Sequence, residues 1–364
     1  MRFRIKARYM IPAVLLGLCL LAGTGGAESS RIAWELHEEY GTELGRGTLT
    51  VHADTSTSIV ADWRKAEPVD AGHYRSDGTD IVYKRTVITD GHHTGEPLDL
   101  SMRILSDPRK KTPQPAILFI PGGGFMSSVL DGPAFYYACF AAHGYVTASA
   151  EYRTIGQGRY MDGVADIRDA IRFLRAHAEE YRIDPERIAL FGMSAGGHMA
   201  ALAGVAPDLD EFRGENNLEF SHDVQAVVCL YASSDLTRIA MDLDAETQQF
   251  HTRPEACEAQ YVNGVLSGLG ILDDPEEAAR ANPITYVHGG EPPFLHMHGE
   301  KDNLISPSMS LLLHNALLEN GDDSVRVVLR GDNHSTAGFY TMPALRLMAR
   351  FLEDHLGQAT DGTP

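Results

Sequence analysis

Residues 166–202 read DIRDAIRFLRAHAEEYRIDPERIALFGMSAGGHMAAL, and they join three elements in sequence. Ile167, Ile171 and Leu174 mark the apolar face of an amphipathic helix whose opposite face is charged. The short apolar run RIALFG then predicts a strand that is buried on both faces. The small residues of AGGHMAALAGV predict a second helix that packs closely on the sheet. Helix, buried strand and helix in this order are typical of an α/β protein.

Between that strand and the second helix the chain reads Gly192-Met193-Ser194-Ala195-Gly196. A strand, a tight turn and a helix form a nucleophile elbow, in which the central serine adopts a strained backbone conformation. The helix N-terminus directs free amides and the positive end of its dipole at the reacting oxygen. Ser194 is therefore the candidate nucleophile.

The same alternation of strands and helices extends over residues 81–358. Together with the strand at RIALFG, it predicts a mostly parallel sheet with helices on both faces. Further strands are expected at IVYKRTVI (81–88), LDLSMRIL (98–105), PAILFI (115–120), YVTASAEYR (145–153), AVVCLYA (226–232), PFLHMHG (293–299) and VRVVLRG (325–331), with later helices near residues 307–320 and 342–356.

Three segments lie outside this alternation. Residues 28–80 are polar and rich in turn residues, hold both tryptophans, Trp34 and Trp63, and are predicted to be an N-terminal extension. Residues 233–290 are acidic and helix-prone and form an insertion, which we expect to be a lid or a binding element. Residues 359–364 are predicted to be a flexible tail.

A serine hydroxyl needs a base to take its proton before it becomes a good nucleophile. On this architecture an acid and then a histidine should follow the serine, each in a loop after a strand. HMHGEKDNLI supplies Asp302 and LRGDNHST supplies His334 at such positions. His334 is the predicted base, and Asp302 is predicted to orient it. Glu300, Asp332 and Asp235 remain weaker alternatives for the acid.

Other histidines fit structural roles better. His198 lies four residues after Ser194, one turn into the helix, and is expected to be packed and hydrogen-bonded. His296 and His298 share one face of a strand, but without further ligands at suitable spacing they predict no metal site. His92 and His93 are expected in a loop.

Residues 119–127 read FIPGGGFMS and follow a predicted buried strand. Attack on an ester carbonyl creates an oxyanion, which backbone amides stabilise best. Bare glycine backbone lets the substrate oxygen approach within hydrogen-bonding distance. Gly123 and Gly124 are therefore predicted to form the oxyanion hole together with the amide of Ala195.

These motifs resemble the α/β-hydrolase superfamily, most of all the hormone-sensitive-lipase-type and feruloyl- or acetyl-esterase-type carboxylesterases. PGGGF, EYR (151–153), residues 166–202, NPITYV, HGEKDNLI and GDNH carry the resemblance over residues 81–356. It implies an α/β-hydrolase fold with an eight-stranded type of sheet, and it assigns Ser194, Asp302 and His334 to catalysis. Pro121 replaces the histidine usual in these families, and EYR replaces the commoner Asp-Tyr-Arg.

The N-terminus predicts export. Basic residues precede an apolar run at residues 10–22, and small residues lead to Ala27, the order of a secretory signal peptide. We expect cleavage after Ala27 and a secreted or periplasmic protein without a stable membrane anchor, because the apolar run is too short to span a bilayer. A lipoprotein signal needs a small residue directly before its cysteine. Leu18 occupies that position before Cys19, so a lipoprotein anchor is not expected.

The net charge of −19 argues against binding to nucleic acid or anionic membranes. After residues 1–27 three cysteines remain, Cys139, Cys229 and Cys257, and their wide spacing predicts free thiols.

The predicted function is therefore a serine carboxylesterase that uses an acyl-enzyme intermediate and needs no metal or organic cofactor. Its expected substrates are small-molecule or carbohydrate esters with short acyl groups, acetyl and feruloyl esters among them. A prolyl-oligopeptidase-type peptidase is one alternative, but residues 28–80 are too few for its propeller domain. A non-catalytic binding protein is another alternative, although such proteins usually lack one of the three catalytic residues, and here Ser194, Asp302 and His334 are all present.

Overall fold

The computed structural model describes residues 43–45, 58–66, 80–107 and 109–358. The predicted signal peptide with its cleavage site at Ala27, Trp34 and the tail at residues 359–364 lie outside these ranges.

Ten strands of the described residues form one sheet. They are β1 (Glu43–Gly45), β2 (Ser58–Ala61), β3 (Ile81–Val87), β4 (Pro97–Leu105), β5 (Gln114–Ile120), β6 (Val146–Ala150), β7 (Ile183–Met193), β8 (Ala226–Leu230), β9 (Phe294–Gly299) and β10 (Ser324–Leu329).

Helices occupy most connections between the strands and the segment after β10. They are α1 (Ala134–Ala142), α2 (Tyr160–Ala176), α3 (Ala178–Tyr181), α4 (Ala195–Val205), α5 (Ala245–Thr252), α6 (Cys257–Asn263), α7 (Pro275–Arg280), α8 (Ser308–Glu319) and α9 (Met342–Leu356). None of the helices in the described ranges is both long and apolar enough to cross a membrane.

The strand order is β1-β2-β10-β9-β8-β7-β5-β6-β4-β3. The pairs β1–β2, β4–β6 and β3–β4 are antiparallel and all other neighbours are parallel. The next two strands in the chain, β6 and β7, pair with β5 on opposite sides. The loops after β5 and β7 therefore leave the sheet side by side, at the kind of switch point where open α/β sheets bind ligands.

Two hydrophobic cores cover the two faces of the sheet. Successive side chains of a strand point to opposite faces, so Leu118 of β5 lies in the first core with Leu174 of α2, and Phe119 lies in the second core with Phe351 of α9. The first core also includes α4 and α8, and the second includes α1. This architecture confirms the predicted mostly parallel sheet with helices on both faces.

The sheet is larger than the eight-stranded type expected from the resemblance. β1 and β2 come from the segment predicted as an N-terminal extension, and β2 pairs in parallel with β10. Arg326 of β10 donates to Ser58 Oγ at 3.1 Å, and Trp63 just beyond β2 is buried in the second core. A four-residue strand has too little local pattern to be recognised in a sequence, because its pairing depends on residues far along the chain.

Candidate active site

Ser194 lies in the turn between β7 and α4. Its backbone φ of 54° and ψ of −124° are strained for a residue other than glycine. The Ser194 amide donates to the carbonyl oxygen of Leu230 at 2.9 Å, which fixes the turn against the end of β8. A Cβ atom on Gly196 would collide with the carbonyl oxygens of Ile120 and Pro121, so only glycine lets α4 start this close to β5. The structure thus places Ser194 in the strand–turn–helix arrangement predicted from the sequence.

The three predicted catalytic side chains meet above this turn. His334 Nε2 lies 3.0 Å from Ser194 Oγ, and His334 Nδ1 lies 2.8 Å from Asp302 Oδ2. Asp302 follows β9 and His334 follows β10, so parallel strands bring both loops to the edge where Ser194 lies. The arrangement suits proton transfer from the serine to the imidazole, with the carboxylate holding the Nδ1–H tautomer.

Asp302 is buried and held by donors on both of its oxygens. The amides of Leu304 and Ile305 each donate to Oδ1 at 2.9 Å, while Oδ2 faces His334 and His298. Burial alone would raise the pKa of Asp302, but the hydrogen bonds from His298 and His334 outweigh it and hold the pKa well below its usual range. The carboxyl group is therefore ionised at neutral pH.

Tyr231 packs against the other side of the candidate base. Its ring meets the His334 imidazole edge-on, with centroids 4.6 Å apart. The Tyr231 hydroxyl donates to Ser335 Oγ at 3.2 Å, and Ser335 Oγ lies 2.7 Å from the Tyr340 hydroxyl. Burial raises the pKa of Tyr231 well above its usual value, so the phenol stays neutral beside the histidine.

The glycine triplet lies directly over the serine. A Cβ atom on Gly122 would be 2.7 Å from the Met193 carbonyl oxygen and 3.3 Å from Ser194 Cβ, so the backbone has no space for a side chain there. Gly123 has a φ of 146°, and a side chain on it would collide with Ser127. Within the described part of the chain, the amides of Gly123, Gly124 and Ala195 donate to no protein acceptor. Their role in an oxyanion hole stays a prediction.

Neighbouring backbone and aromatic groups hold residues 121–128, which we name the oxyanion loop after their predicted role. The Tyr152 hydroxyl donates to the carbonyl oxygen of Pro121 at 3.1 Å, at the position where the resembled families carry histidine. Ser128 Oγ donates to the Tyr152 carbonyl oxygen at 3.1 Å, and the Ile155 amide donates to that of Phe125 at 2.8 Å. The loop is therefore fixed from the chain that follows β6.

Backbone strain concentrates around the same site. Six non-glycine residues of the described chain have a positive φ, and four of them border the site: Phe125, Ser194, Tyr231 and Ser335. Strained residues of this kind persist only where the surrounding structure holds them, which is common at functional sites.

A buried ionic cluster supports the segment after β6. Lys84 Nζ lies 2.8 Å from Asp166 and 2.7 Å from Asp169, and all three side chains are fully buried. Arg153, the arginine of the EYR motif, binds both oxygens of Asp166 at 2.9 Å. Burial would raise the pKa of Asp166, but Lys84 and Arg153 lower it below its usual value. The cluster fixes the backbone of Arg153, whose carbonyl oxygen accepts a hydrogen bond from Tyr261 at 3.0 Å.

The alternative acids face other groups. Glu300 accepts from the Gly331 amide at 2.9 Å, Asp332 accepts from the Gly338 amide at 2.9 Å, and Asp235 binds Arg238 at 2.7 Å. His198 is buried and its Nδ1 lies 3.0 Å from the Ser233 carbonyl oxygen, as a packed histidine should. Among these carboxylates, Asp302 is the one that contacts His334.

The insertion at residues 233–290 contains α5, α6 and α7 and packs onto the oxyanion loop. Tyr261 of α6 stacks on Phe125, and Cys257 Sγ would lie 3.9 Å from a Cβ atom on Gly124. All three predicted free cysteines are free in the structure; Cys139 and Cys229 are buried and Cys257 is half-buried.

Sequence reasoning missed several residues that contact the site, above all His298, Tyr231, Tyr261 and Gly122. Gly122 belongs to the glycine triplet and could have been found by asking which of the three glycines faces the elbow. His298 lies four residues before Asp302 in HMHGEKD, a spacing that gave no reason to expect contact after a strand. No local signal links Tyr261 to Phe125.

The BD-FAE family model matches residues 102–317, more than half of the chain. The matched span runs from β4 to α8 and contains Ser194 and Asp302, while His334 lies beyond its end.

Among curated proteins, Esterase LipC of Mycobacterium tuberculosis is 31% identical over 195 residues, which are 53% of this chain and 45% of LipC. The probable isoprenylcysteine alpha-carbonyl methylesterase ICME of Oryza sativa subsp. japonica is 33% identical over 241 residues, 65% of this chain and 55% of that protein. The chain spans about half the length of the curated relatives it matches.

Solved structures share the fold over most of the chain. A truncated carbohydrate esterase from gut microbiota aligns with a TM-score of 0.64 and 22% identity, covering 80% of this chain and 100% of that one. Native esterase Est2 of the planctomycete Thermogutta terrifontis aligns with a TM-score of 0.61 and 25% identity, covering 81% and 100%. These similarities confirm the fold predicted from the sequence and the resemblance on which that prediction draws.

Proposed function

The chain belongs to the BD-FAE family, and we propose on this premise that it is a serine carboxylesterase acting on short acyl esters. Ser194 is the nucleophile, His334 the general base and acid, and Asp302 the group that orients His334. The observation that carries the proposal is the continuous hydrogen-bonded path from Ser194 Oγ through the imidazole to Asp302 Oδ2.

The acylation step starts at the serine hydroxyl. Ser194 Oγ attacks the ester carbonyl carbon while His334 Nε2, 3.0 Å away, takes the hydroxyl proton. The imidazole becomes positively charged, and the ionised Asp302 stabilises that charge through Nδ1–H. The carbonyl oxygen becomes an oxyanion with no change in the protonation of Asp302.

The oxyanion is bound by backbone amides in this mechanism. The amides of Gly123 and Gly124 approach from the oxyanion loop, and the Ala195 amide approaches from the first residue of α4. Because these donors are fixed before the reaction, they stabilise charge as it develops and need no reorganisation. The N-terminal end of α4 adds its positive dipole to the same position.

The tetrahedral intermediate then collapses. His334 Nε2 gives its proton to the alcohol oxygen, the bond from carbon to that oxygen breaks, and the acyl group stays on Ser194. Water next loses a proton to His334 Nε2 and attacks the acyl carbon. The acid leaves, and the proton returns to Ser194 Oγ.

The acyl group is proposed to be short. Est2 of Thermogutta terrifontis, 25% identical to this chain, has been solved with propionate and with butyrate bound. Acetyl and feruloyl esters of carbohydrates are included as substrates because residues 1–27 predict export, and an exported enzyme meets such esters outside the cell.

Export itself is part of the proposal. Expression of the full chain in a bacterial host with a periplasm should release a mature protein that starts at Glu28. Intact-mass measurement of the periplasmic fraction tests this, and a cytoplasmic protein retaining residues 1–27 would contradict it.

The activity is tested on a panel of esters with purified protein. We expect hydrolysis of p-nitrophenyl acetate and butyrate, weaker hydrolysis of the decanoate, and release of acetate or ferulate from acetylated xylan and feruloyl esters. A prolyl peptide amide in the panel tests the peptidase alternative.

Two serine variants make the assay specific. Ser194→Ala should abolish hydrolysis, while Ser106→Ala, at an exposed serine just after β4, should leave it unchanged. Absence of ester hydrolysis, or activity that survives in Ser194→Ala, would refute the proposal.

A further inference from the structure

Two imidazoles share one oxygen of Asp302. His334 Nδ1 lies 2.8 Å from Oδ2, and His298 Nε2 lies 3.2 Å from the same atom. His298 belongs to β9 and its side chain is fully buried. The mechanism above gives this second histidine no role.

The contacts of His298 indicate which of its ring nitrogens carries a proton. Nε2 lies 3.1 Å from the carbonyl oxygen of Ile305 as well as 3.2 Å from Asp302 Oδ2, and both of these atoms are acceptors. Nε2 must therefore carry a proton. Nδ1 is buried and has no hydrogen-bond partner in the described residues, so an N–H at that position would have no acceptor there. These contacts assign His298 the tautomer that donates through Nε2 and leaves Nδ1 without a proton.

We propose that His298 is a positioning residue that holds the triad carboxylate and limits the negative charge that Asp302 offers to His334. This inference rests on the proposed function. It assigns His298 no contact with substrate, and its effect passes through Asp302.

The physical argument is competition for one acceptor. With the amides of Leu304 and Ile305 on Oδ1, the His298 donor completes a set that prevents rotation of the carboxylate. A donor on Oδ2 also withdraws charge that would otherwise stabilise the His334 imidazolium. With His298 present, His334 should lose its proton at a lower pH and be available as a base over a wider range.

Other ionisable groups near the pair do not duplicate this contact. Tyr231 meets the His334 ring edge-on and stays neutral, while Asp332 and Glu300 accept from the amides of Gly338 and Gly331. Along β9, the group nearest in sequence to His298 is His296, which has His314 and Arg326 beside it; these neighbours and above all burial lower its pKa well below the usual range.

His296 provides a matched control. It is buried on the same face of the same strand, two residues from His298, and it stacks on Phe294 with centroids 5.4 Å apart. Replacement of either histidine by phenylalanine removes a buried imidazole from β9, but only one of these changes removes a donor from Asp302.

The test is the pH profile of kcat/KM on p-nitrophenyl acetate. His298→Phe should move the acidic limb upward by about half a pH unit or more and lower kcat by roughly 10- to 100-fold. His298→Gln, whose amide can donate to Oδ2, should restore most of both values. In His296→Phe the acidic limb of the kcat/KM profile should stay at the wild-type pH. If the acidic limb of the kcat/KM profile had the same midpoint pH in His298→Phe as in His296→Phe, the proposal would be overturned.

A second measurement uses the wild-type protein alone, so it depends neither on enzymatic activity nor on the folding of a variant. Nitrogen NMR of histidine-labelled wild-type protein should find His298 with a protonated Nε2 and a bare Nδ1 throughout the titration of His334. A bare Nε2, or a second proton on His298 in that range, would overturn the inference. If the wild-type protein hydrolyses no ester, the proposed function fails. The NMR result still decides whether His298 Nε2 carries the proton that is donated to Asp302.

Discussion

Tyr261 stacks on Phe125 with ring centroids 4.7 Å apart and an interplanar angle of 15°. Phe125 directly follows the glycine triplet, and Tyr261 belongs to α6 of the insertion. His198 meets the Phe125 ring edge-on at 5.5 Å. The insertion therefore contributes to the shape of the oxyanion loop.

Tyr261→Ala should lower both stability and kcat. Loss of a buried aromatic side chain costs about 3 to 5 kcal/mol, and the freed Phe125 lets the amides of Gly123 and Gly124 move. We expect kcat on p-nitrophenyl acetate to fall at least about 10-fold at a temperature where the variant remains folded.

Tyr261→Phe is the control, because it keeps the stack and removes only the hydroxyl that donates to Arg153. It should cost about 1 kcal/mol in urea unfolding and leave kcat near the wild-type value. Equal kcat values for Tyr261→Ala and Tyr261→Phe would show that the stack does not position the loop.

Asp302→Asn should preserve the fold and lower kcat by about 10⁴-fold, because an amide can no longer hold the Nδ1–H tautomer of His334. Glu300→Gln changes the alternative acid two residues away, whose carboxylate accepts a hydrogen bond from the Gly331 amide. That variant should retain activity. If Glu300→Gln were the inactive variant, the assignment of the acid would be wrong.

Gly123→Ala should lower kcat by about 10²- to 10³-fold with little change in KM. The new Cβ would collide with Ser127 at a backbone φ of 146°, so the loop must move and withdraw its amides. Gly95→Ala is the matched control, since Gly95 has a φ of 93° but no atom within 4 Å of a Cβ. A similar loss of activity in both variants would indicate general strain and not a displaced oxyanion hole.

The stability of the protein should fall as pH decreases from 6.5 to 4. Burial lowers the pKa of His198 to about 4, so between these values the unfolded chain binds a proton that the folded protein does not. Stability from this group is complete above the unfolded pKa of about 6.5 and is lost as pH falls toward 4. For His198 alone the loss between pH 7.5 and pH 5 should be about 2 kcal/mol.

Urea unfolding of wild type and His198→Phe at both pH values measures this loss. The variant should be less stable at pH 7.5 but should lose less stability on acidification. Parallel pH dependence of the two proteins would mean that His198 does not titrate differently in the folded and unfolded states.

Local patterns predicted the central part of the molecule well. Buried strands such as β5 and β8 are continuous apolar runs, and α2 has a clear amphipathic period, so their positions follow from short windows of sequence. That Ser194, Asp302 and His334 lie together was predictable because each follows such a strand, and parallel strands end at the same edge of a sheet.

Contacts between distant segments were not predictable in this way. Phe125 and Tyr261 come from different loops, and β2 joins the sheet through β10, which lies more than 260 residues further along the chain. Lys84 lies in a strand whose alternation predicts one exposed face, yet a register shift between Val82 and Lys84 buries it. Its charge is compensated by the carboxylates of Asp166 and Asp169 in α2, which no local window around β3 contains.

Mass spectrometry of the protein after reaction with phenylmethylsulfonyl fluoride tests the role of Ser194 most directly. The reagent should sulfonylate one residue, the modified peptide should contain Ser194, and loss of ester hydrolysis should follow the extent of labelling. Ser194→Ala should take up no label, whereas Ser106→Ala should react like the wild type. Complete inactivation with the label on another residue, or full activity in protein sulfonylated at Ser194, would contradict the proposed nucleophile.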